Sequence, residues 1–150
     1  MAEDIDNNDF YLNVAYALSA CQLIEQELKL YITEALEFAR KCIGKRLPFK
    51  MNGEDYADAS LERLIEVFRK LSDNDNLVKD LRKFKEERNF LSHKGITHCL
   101  DYEGELFQTT AIEFQARLDA IQTDAIRLRN VLHEEANKFR GMLYFGNFTD

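Results

Sequence analysis

Residues 77–95 of this 150-residue chain read LVKDLRKFKEERNFLSHKG. The apolar positions recur at three-, four- and seven-residue steps, which is the spacing of one face of an α-helix. These positions are Leu77, Leu81, Phe84 and Leu91. The stretch closes on a glycine, the residue that most often ends a helix. It therefore predicts a helix that stops near Gly95.

Three more segments show the same spacing, at residues 11–39, 61–71 and 114–139. Asp58 or Ser60 is the expected N-cap of the second helix, because short polar side chains accept hydrogen bonds from the first free backbone amides. Four helices with mostly short connections predict an all-α protein, folded as an antiparallel four-helix bundle.

The connections and ends of this single domain are predicted from composition. Residues 1–9 are expected to be a flexible lead-in, and residues 141–150 an aromatic tail that docks on the body. Residues 96–108 are expected to form a short hairpin or ordered loop between helices 3 and 4. Thr110 and Glu113 match the capping box of a helix that starts there.

The first helix is apolar on two faces. Its main face is expected to pack on the core, and its second face carries a further set of apolar residues, Tyr16, Ala20, Leu23, Leu30 and Tyr31. A helix that is apolar on two faces has more than one surface to pack against. We expect a second copy of the chain to cover the second face, which predicts a homodimer.

Charge and cysteine content restrict the functional classes. A net charge of −7 argues against a protein that coats nucleic acid by bulk electrostatics. The acidic N-terminus lacks the features of a signal peptide, and no apolar run is long enough to cross a membrane. Cys21, Cys42 and Cys99 form no CxxC pair, which favours buried thiols in a reducing cytoplasm. The sequence thus predicts a cytoplasmic protein without membrane contact.

One segment differs from this acidic background. Residues 79–94 contain six basic and three acidic residues, and they include Arg88, Asn89 and His93. Arginine can hold a phosphate by a two-point fork, and histidine can transfer a proton near pH 7. Asn89 lies four residues before His93, on the same helix face, where its amide can orient the imidazole.

Arg88 and His93 do not share a face on an ideal helix. Five residues correspond to about 500° of rotation, which sets the two side chains about 140° apart. Both can face one cleft if the last turn unwinds, or if two chains share the site. Arg88 falls on the apolar stripe between Phe84 and Leu91, so its charge needs a partner.

The arrangement Arg88-Asn89-x-x-x-His93, near the end of the third of four helices, resembles the HEPN superfamily. The resemblance implies a metal-independent ribonuclease, often a toxin or phage-defence effector, whose site forms across a homodimer. In that case Arg88 binds the scissile phosphate of RNA, His93 transfers a proton, and Asn89 supports the site. It also implies a protein partner that neutralises the enzyme, and no cofactor or metal. Other members of the superfamily are non-catalytic.

Some HEPN proteins add a glutamate from an earlier helix. Glu25 lies on the apolar rhythm of the first helix, where it can pair with Arg88 or orient His93. The alternative is a glutamate at the edge of the stripe with its carboxylate in water.

Three other interpretations compete with this site. Arg127 and His133 also match the loose arginine–histidine spacing, but they lie in mid-helix without a glycine stop. His93, His98 and Cys99 offer metal-binding atoms, but no fourth ligand. Finally, Arg88 and His93 can be a structural polar pair in a non-catalytic interaction module.

Overall fold

The computed structural model describes residues 7–95 and 105–148, and the regular secondary structure in these ranges is helical. Four α-helices, α1 to α4, span Asn7–Ile43, Leu61–Leu71, Asp75–Phe90 and Glu105–Phe145. A short 3₁₀ segment lies at Gly53–Tyr56, and a π-helical turn at Leu91–Gly95 extends α3. The predicted all-α class is confirmed for this part of the chain.

The two long helices begin earlier than the sequence suggests. α1 starts at Asn7, so residues 7–9 are not a flexible lead-in, and Phe10 on the first turn is fully buried. α4 starts at Glu105, so residues 105–108 are not part of a hairpin, and Thr110 does not cap the helix. The good helix formers glutamate, leucine and glutamine favour this early start. Residues 1–6 and 96–104 lie outside the described ranges.

The predicted tail is mostly the last part of α4. The helix continues to Phe145, and Leu143 is buried. Phe148, after the helix, docks against α1, with its ring centroid 6.0 Å from that of Phe38. Phe145 does not dock, since 90% of it is exposed.

The two long helices run parallel to each other. Near their starts, the rings of Phe10 and Phe114 lie 5.7 Å apart. Near their ends, Lys41 Nζ donates a hydrogen bond to the Leu143 carbonyl at 3.2 Å. The residue numbers of the contacting pairs increase together in α1 and α4. The C-terminal ends of the two helices therefore meet at one end of the molecule.

α3 runs antiparallel to both α2 and α4. Arg127 pairs with Asp80, and Arg117 pairs with Glu87, so α3 and α4 have opposite directions. α2 and α3 are also antiparallel, as shown by the pairs Glu62–Lys85 and Glu66–Arg82. α2 consequently runs parallel to α1, and this pair departs from a strictly alternating bundle, because the long connection at residues 44–60 lets the chain return before α2 begins.

The core lies between α1, α4 and the α2–α3 hairpin. Its α1 contribution is one continuous stripe of buried residues, comprising Phe10, Val14, Ala17, Cys21, Ile24, Leu28, Tyr31, Ile32, Ala35 and Leu36. The α2 stripe agrees with the sequence prediction, and Ser60 is its N-cap, with the hydroxyl accepting from Arg63 N at 3.2 Å. Among the described helices, none has both the length and the apolar character needed to span a bilayer.

The second apolar face of α1 is only partly solvent-facing. Tyr16 and Leu30 are 53% and 43% exposed. Tyr31, which we assigned to this face, instead belongs to the core. Its ring packs 4.8 Å from Phe68 and 5.4 Å from Phe139. The position lies between the two faces, and contact with two helices buries it.

A buried glutamate on α4 fixes the turn between α2 and α3. Glu135 is 6% exposed and accepts hydrogen bonds from Ser72 Oγ at 3.2 Å and Asn74 Nδ2 at 2.8 Å. Asn74 also caps α3 by accepting from Leu77 N at 3.1 Å. These bonds set where α3 starts, and therefore where its last turn lies.

Gly53 is required by close packing against α1. A Cβ atom at this position would lie 1.9 Å from Thr33 Oγ1, which itself donates to the Lys29 carbonyl. We therefore expect Gly53→Ala to lower the free energy of unfolding by about 1–3 kcal/mol through overpacking. Gly141→Ala, which meets nothing within 4 Å on α4, should be neutral or stabilising. Thermal melting followed by circular dichroism compares the two, and equal melting temperatures would show that the close approach is absent.

Candidate active site at the end of α3

Arg88 lies on the buried side of α3, one turn after Phe84, and faces α1. Its Nη2 atom is 3.3 Å from Glu25 Oε1, and the side chains of Arg88 and Glu25 are 39% and 19% exposed. The structure thus shows the Arg88–Glu25 pairing considered from the sequence. A half-exposed guanidinium held by one carboxylate still has donors that face solvent.

A buried thiol lies beside this ion pair. Cys21, one turn before Glu25 on α1, is 2% exposed. Burial raises the pKa of the Cys21 thiol to about 11; the Arg88 guanidinium opposes this rise and the Glu25 carboxylate adds to it. The thiol therefore stays neutral, and it provides a buried, uncharged neighbour for the ion pair.

This environment predicts selective thiol chemistry. At pH 8 only about a thousandth of a thiol with such a pKa is ionised, and the thiolate is the reactive form. Iodoacetamide should therefore modify Cys42, which is exposed, while Cys21 is spared in the folded protein. Peptide mass mapping distinguishes the sites, and rapid modification of Cys21 would refute its burial. The expectation that Cys42 is buried was wrong, because this residue lies on the last turn of α1; Cys99 lies outside the described residues.

His93 lies on the π-helical turn that follows α3, and both His93 and Asn89 are exposed. A π turn closes on i→i+5 hydrogen bonds and winds less per residue than an α-helix, so His93 is rotated less far from Arg88 than the ideal 140°. This is the local unwinding that one of the two sequence alternatives required. The turn also packs against α1, the helix that carries Glu25.

Arg117 on α4 holds the last α-helical turn of α3. Its guanidinium makes a two-point contact with Glu87, with distances of 2.6 and 2.9 Å. The same group stacks on Phe90, with Cζ 3.4 Å from the ring centroid. Glu87 precedes Arg88 and Phe90 follows Asn89. The Arg117 side chain therefore restrains the residues on both sides of Arg88 and Asn89. Nothing in the sequence marks Arg117 for this role, because no spacing rule relates residues thirty positions apart.

The basic residues of α3 are partly neutralised. Arg82 and Lys85 each lie 3.7 Å from a glutamate of α2. Lys79, Lys83 and Lys94 are exposed. The exposed cations of this segment therefore lie on its outer face, which also carries the exposed Glu86, and on the π turn after Arg88.

The competing arginine–histidine pair is divided between two interfaces. Arg127 contacts Asp80 of α3 at 3.1 Å. His133 faces α1 instead, with Nε2 3.2 Å from Glu27 Oε2 and Nδ1 3.1 Å from Arg140 Nη1. Because both ring nitrogens of His133 are engaged and Arg127 faces a different helix, this pair does not form one site.

Metal-binding geometry is not evident in residues 7–95 and 105–148, where no group of three or more His, Cys, Asp or Glu side chains is placed to hold an ion. His98 and Cys99, the other members of the metal alternative, lie outside these ranges. Comparison of the chain with protein-family models, with curated proteins and with solved structures finds no match.

Proposed function

We propose that the protein is a metal-independent endoribonuclease of HEPN type, acting as a toxin or phage-defence effector. The observation that carries this proposal is the Arg88–Glu25 pair, followed five residues after Arg88 by an exposed histidine on a π turn. π turns are frequent at functional sites, because they re-aim side chains at the expense of regular hydrogen bonding. The helix order of long, short, medium and long supports the HEPN-like fold.

In the proposed reaction, Arg88 binds the scissile phosphate with the donors that do not contact Glu25. The RNA 2′-oxygen attacks phosphorus and loses its proton, the P–O5′ bond breaks, and O5′ receives a proton. His93 transfers one of these protons, and Arg88 stabilises the added negative charge of the transition state. The products carry a 2′,3′-cyclic phosphate and a 5′-hydroxyl.

Glu25 has a positioning role in this scheme. It holds the guanidinium at the edge of the core, where an unpaired charge would be costly. Asn89 is one helical turn from His93 and supports the imidazole. Both residues act through Arg88 and His93 and do not transfer protons themselves.

We place the site at a homodimer interface that includes α1, which brings two sets of Arg88 and His93 together. Tyr16 and Leu30 supply exposed apolar surface for this contact. Light scattering should give the mass of a dimer at micromolar concentration. A monomer that still cleaves RNA would refute the shared site. A free ribonuclease would damage its host, so we also propose a neutralising protein partner in the cytoplasm.

A 2′-deoxy substitution tests the chemistry directly. Cleavage sites are first mapped on a long RNA, and an oligonucleotide containing one site is made with and without the 2′-hydroxyl at the nucleotide 5′ to the cut. The ribose form should be cut in EDTA to a 2′,3′-cyclic phosphate, and the deoxy form should remain intact. Cleavage of the deoxy form, or loss of cleavage in EDTA, would exclude the mechanism.

A non-catalytic interaction module is the second candidate. The net charge of −7 and the pairing of Arg88 with Glu25 favour it, because both weaken attraction for RNA. In that case the ion pair only fixes α3 on α1. Arg88→Ala would then destabilise the protein, and no RNA cleavage would be found under any condition.

A further inference from the structure

The end of α1 and the connection after it form a strongly basic segment. Residues 40–51, which we call the basic end, contain five basic residues and no acidic one, although the whole chain carries a net charge of −7. The basic residues are Arg40, Lys41, Lys45, Arg46 and Lys50. All except Lys41 are exposed.

The parallel arrangement of the long helices brings the end of α4 to the same place. Lys41 Nζ donates to the Leu143 carbonyl at 3.2 Å and lies 5.8 Å from the ring centroid of Phe148. Phe148 in turn packs on Phe38. The start of the basic end, at Lys41, therefore contacts the aromatic end of α4.

This end of the molecule presents large apolar side chains to solvent. Phe145 is 90% exposed, Tyr144 62% and Leu47 57%. Exposed apolar groups that cluster on a soluble domain commonly mark an interaction site. Leu47 follows Lys45 and Arg46 in sequence, and Phe145 lies two residues after the Leu143 carbonyl that Lys41 binds, so a negatively charged partner suits this end of the molecule.

Compensation of helix dipoles explains only part of this composition. Lys41 and Arg46 donate to carbonyls at the helix ends, as basic residues in a last turn often do. That role does not require a phenylalanine that points into water. A ligand that combines phosphates with flat apolar rings accounts for both features.

We propose that the basic end, with Phe145, binds single-stranded RNA at a distance from the Arg88 site. Phosphates contact Lys45, Arg46 and Lys50, and a base stacks on Phe145. The surface lies about 24 Å from Glu25 along α1, at 1.5 Å per residue, so it binds a part of the RNA remote from the cut. The inference rests on the proposed function, because that function makes RNA the substrate.

An anionic membrane is the less suitable partner for this surface. Insertion into a bilayer interface needs a broad apolar face without acidic groups. Here the Tyr144 hydroxyl lies 3.4 Å from Glu34 Oε2, and Glu37 is near the same edge of α1. Stacking on one exposed ring needs no such face.

Binding of a fluorescein-labelled, unstructured RNA to the full chain tests the proposal. The His93→Ala background prevents cleavage during titration. Lys45→Gln/Arg46→Gln/Lys50→Gln should weaken binding at least tenfold, and should flatten the slope of log K against log salt by about 2, since each lost phosphate contact on a single strand contributes about 0.7. Phe145→Ala should weaken binding roughly tenfold through loss of stacking.

A charge-matched variant controls for net charge. Arg69→Gln/Lys70→Gln/Arg127→Gln removes three exposed cations from other faces and should bind RNA as the background does. Equal loss in both triple variants, or no loss in the basic-end variant, would overturn the proposal. So would a basic-end variant that loses binding to phosphatidylserine vesicles while keeping its affinity for RNA.

The outcomes separate this surface from the proposed function. If the wild-type chain does not cleave RNA but the basic-end variant still loses RNA binding, the RNA-binding role of the basic end is supported and the ribonuclease activity is refuted. If the wild-type chain cleaves RNA and the basic-end variant binds and cleaves it equally well, the RNA-binding role of the basic end is refuted and the ribonuclease activity is supported.

Discussion

Replacing His93 by alanine is expected to lower the rate of RNA cleavage by roughly 10²–10⁴-fold, the usual effect of removing a proton-transfer group. Arg88→Ala should do at least as much damage, because it removes the phosphate clamp and leaves Glu25 to repel the substrate. Single-turnover rates on one RNA in EDTA measure both effects. Circular dichroism should show unchanged helicity, since His93 is exposed and Arg88 lies at the edge of the core.

Two further variants make this prediction specific. His133→Ala should leave cleavage near the wild-type rate, because its ring is engaged with Glu27 and Arg140 at the α1–α4 interface. Arg88→Lys should remain poor although it preserves charge, because an ammonium cannot make the two-point fork. If His133→Ala is inactive and His93→Ala is active, we have assigned the wrong histidine. If the Arg88 and His93 variants only unfold, the pair is structural.

Replacing Glu34 by alanine is expected to lower the free energy of unfolding by roughly 3 kcal/mol, the lower end for breaking a buried ion pair. Glu34 is 5% exposed and holds the Arg140 guanidinium by two contacts of 2.8 Å. Without it, the partly buried Arg140 guanidinium loses the carboxylate that binds it directly, and Glu27 acts on it only at longer range. For a chain of this size the melting temperature should fall by about 6–12 °C.

Glu37 provides the matched control on the same helix. It pairs with Arg40 near the surface, where the side chains are 40% and 53% exposed. Exposed pairs of this kind contribute little to stability, because water and salt screen the attraction. Glu37→Ala should therefore melt close to the wild-type chain. Equal melting temperatures for Glu34→Ala and Glu37→Ala would show that the Glu34 pair is not a main link between α1 and α4.

Local features of the fold followed from local sequence. The apolar stripe of α2, its Ser60 cap and the polar turn before α3 depend on residues within a few positions of each other, and periodicity and capping rules apply directly. The pairing of Glu25 with Arg88 was also accessible, because a charged residue on an apolar stripe needs a partner, and a glutamate on another stripe can supply it.

Features that depend on tertiary contacts could not be predicted from the sequence. The parallel direction of α1 and α4 depends on how residues 44–60 return the chain, and periodicity carries no direction. The contact of Arg117 with Glu87 and Phe90 joins two helices and has no sequence signature. The π turn was indicated only as an unwinding that would help Arg88 and His93 share a cleft. α4 starts earlier than predicted, because Thr110 and Glu113 match a capping box and so indicated a helix that begins there.

Incubation of the purified chain with total RNA in EDTA is the most direct test of the central claim, beside an Arg88→Ala/His93→Ala variant of equal helicity. We expect the wild-type chain to degrade the RNA without added metal and the double variant to leave it intact. Intact RNA with both proteins, or equal degradation by both, would contradict the assignment of ribonuclease activity to this site.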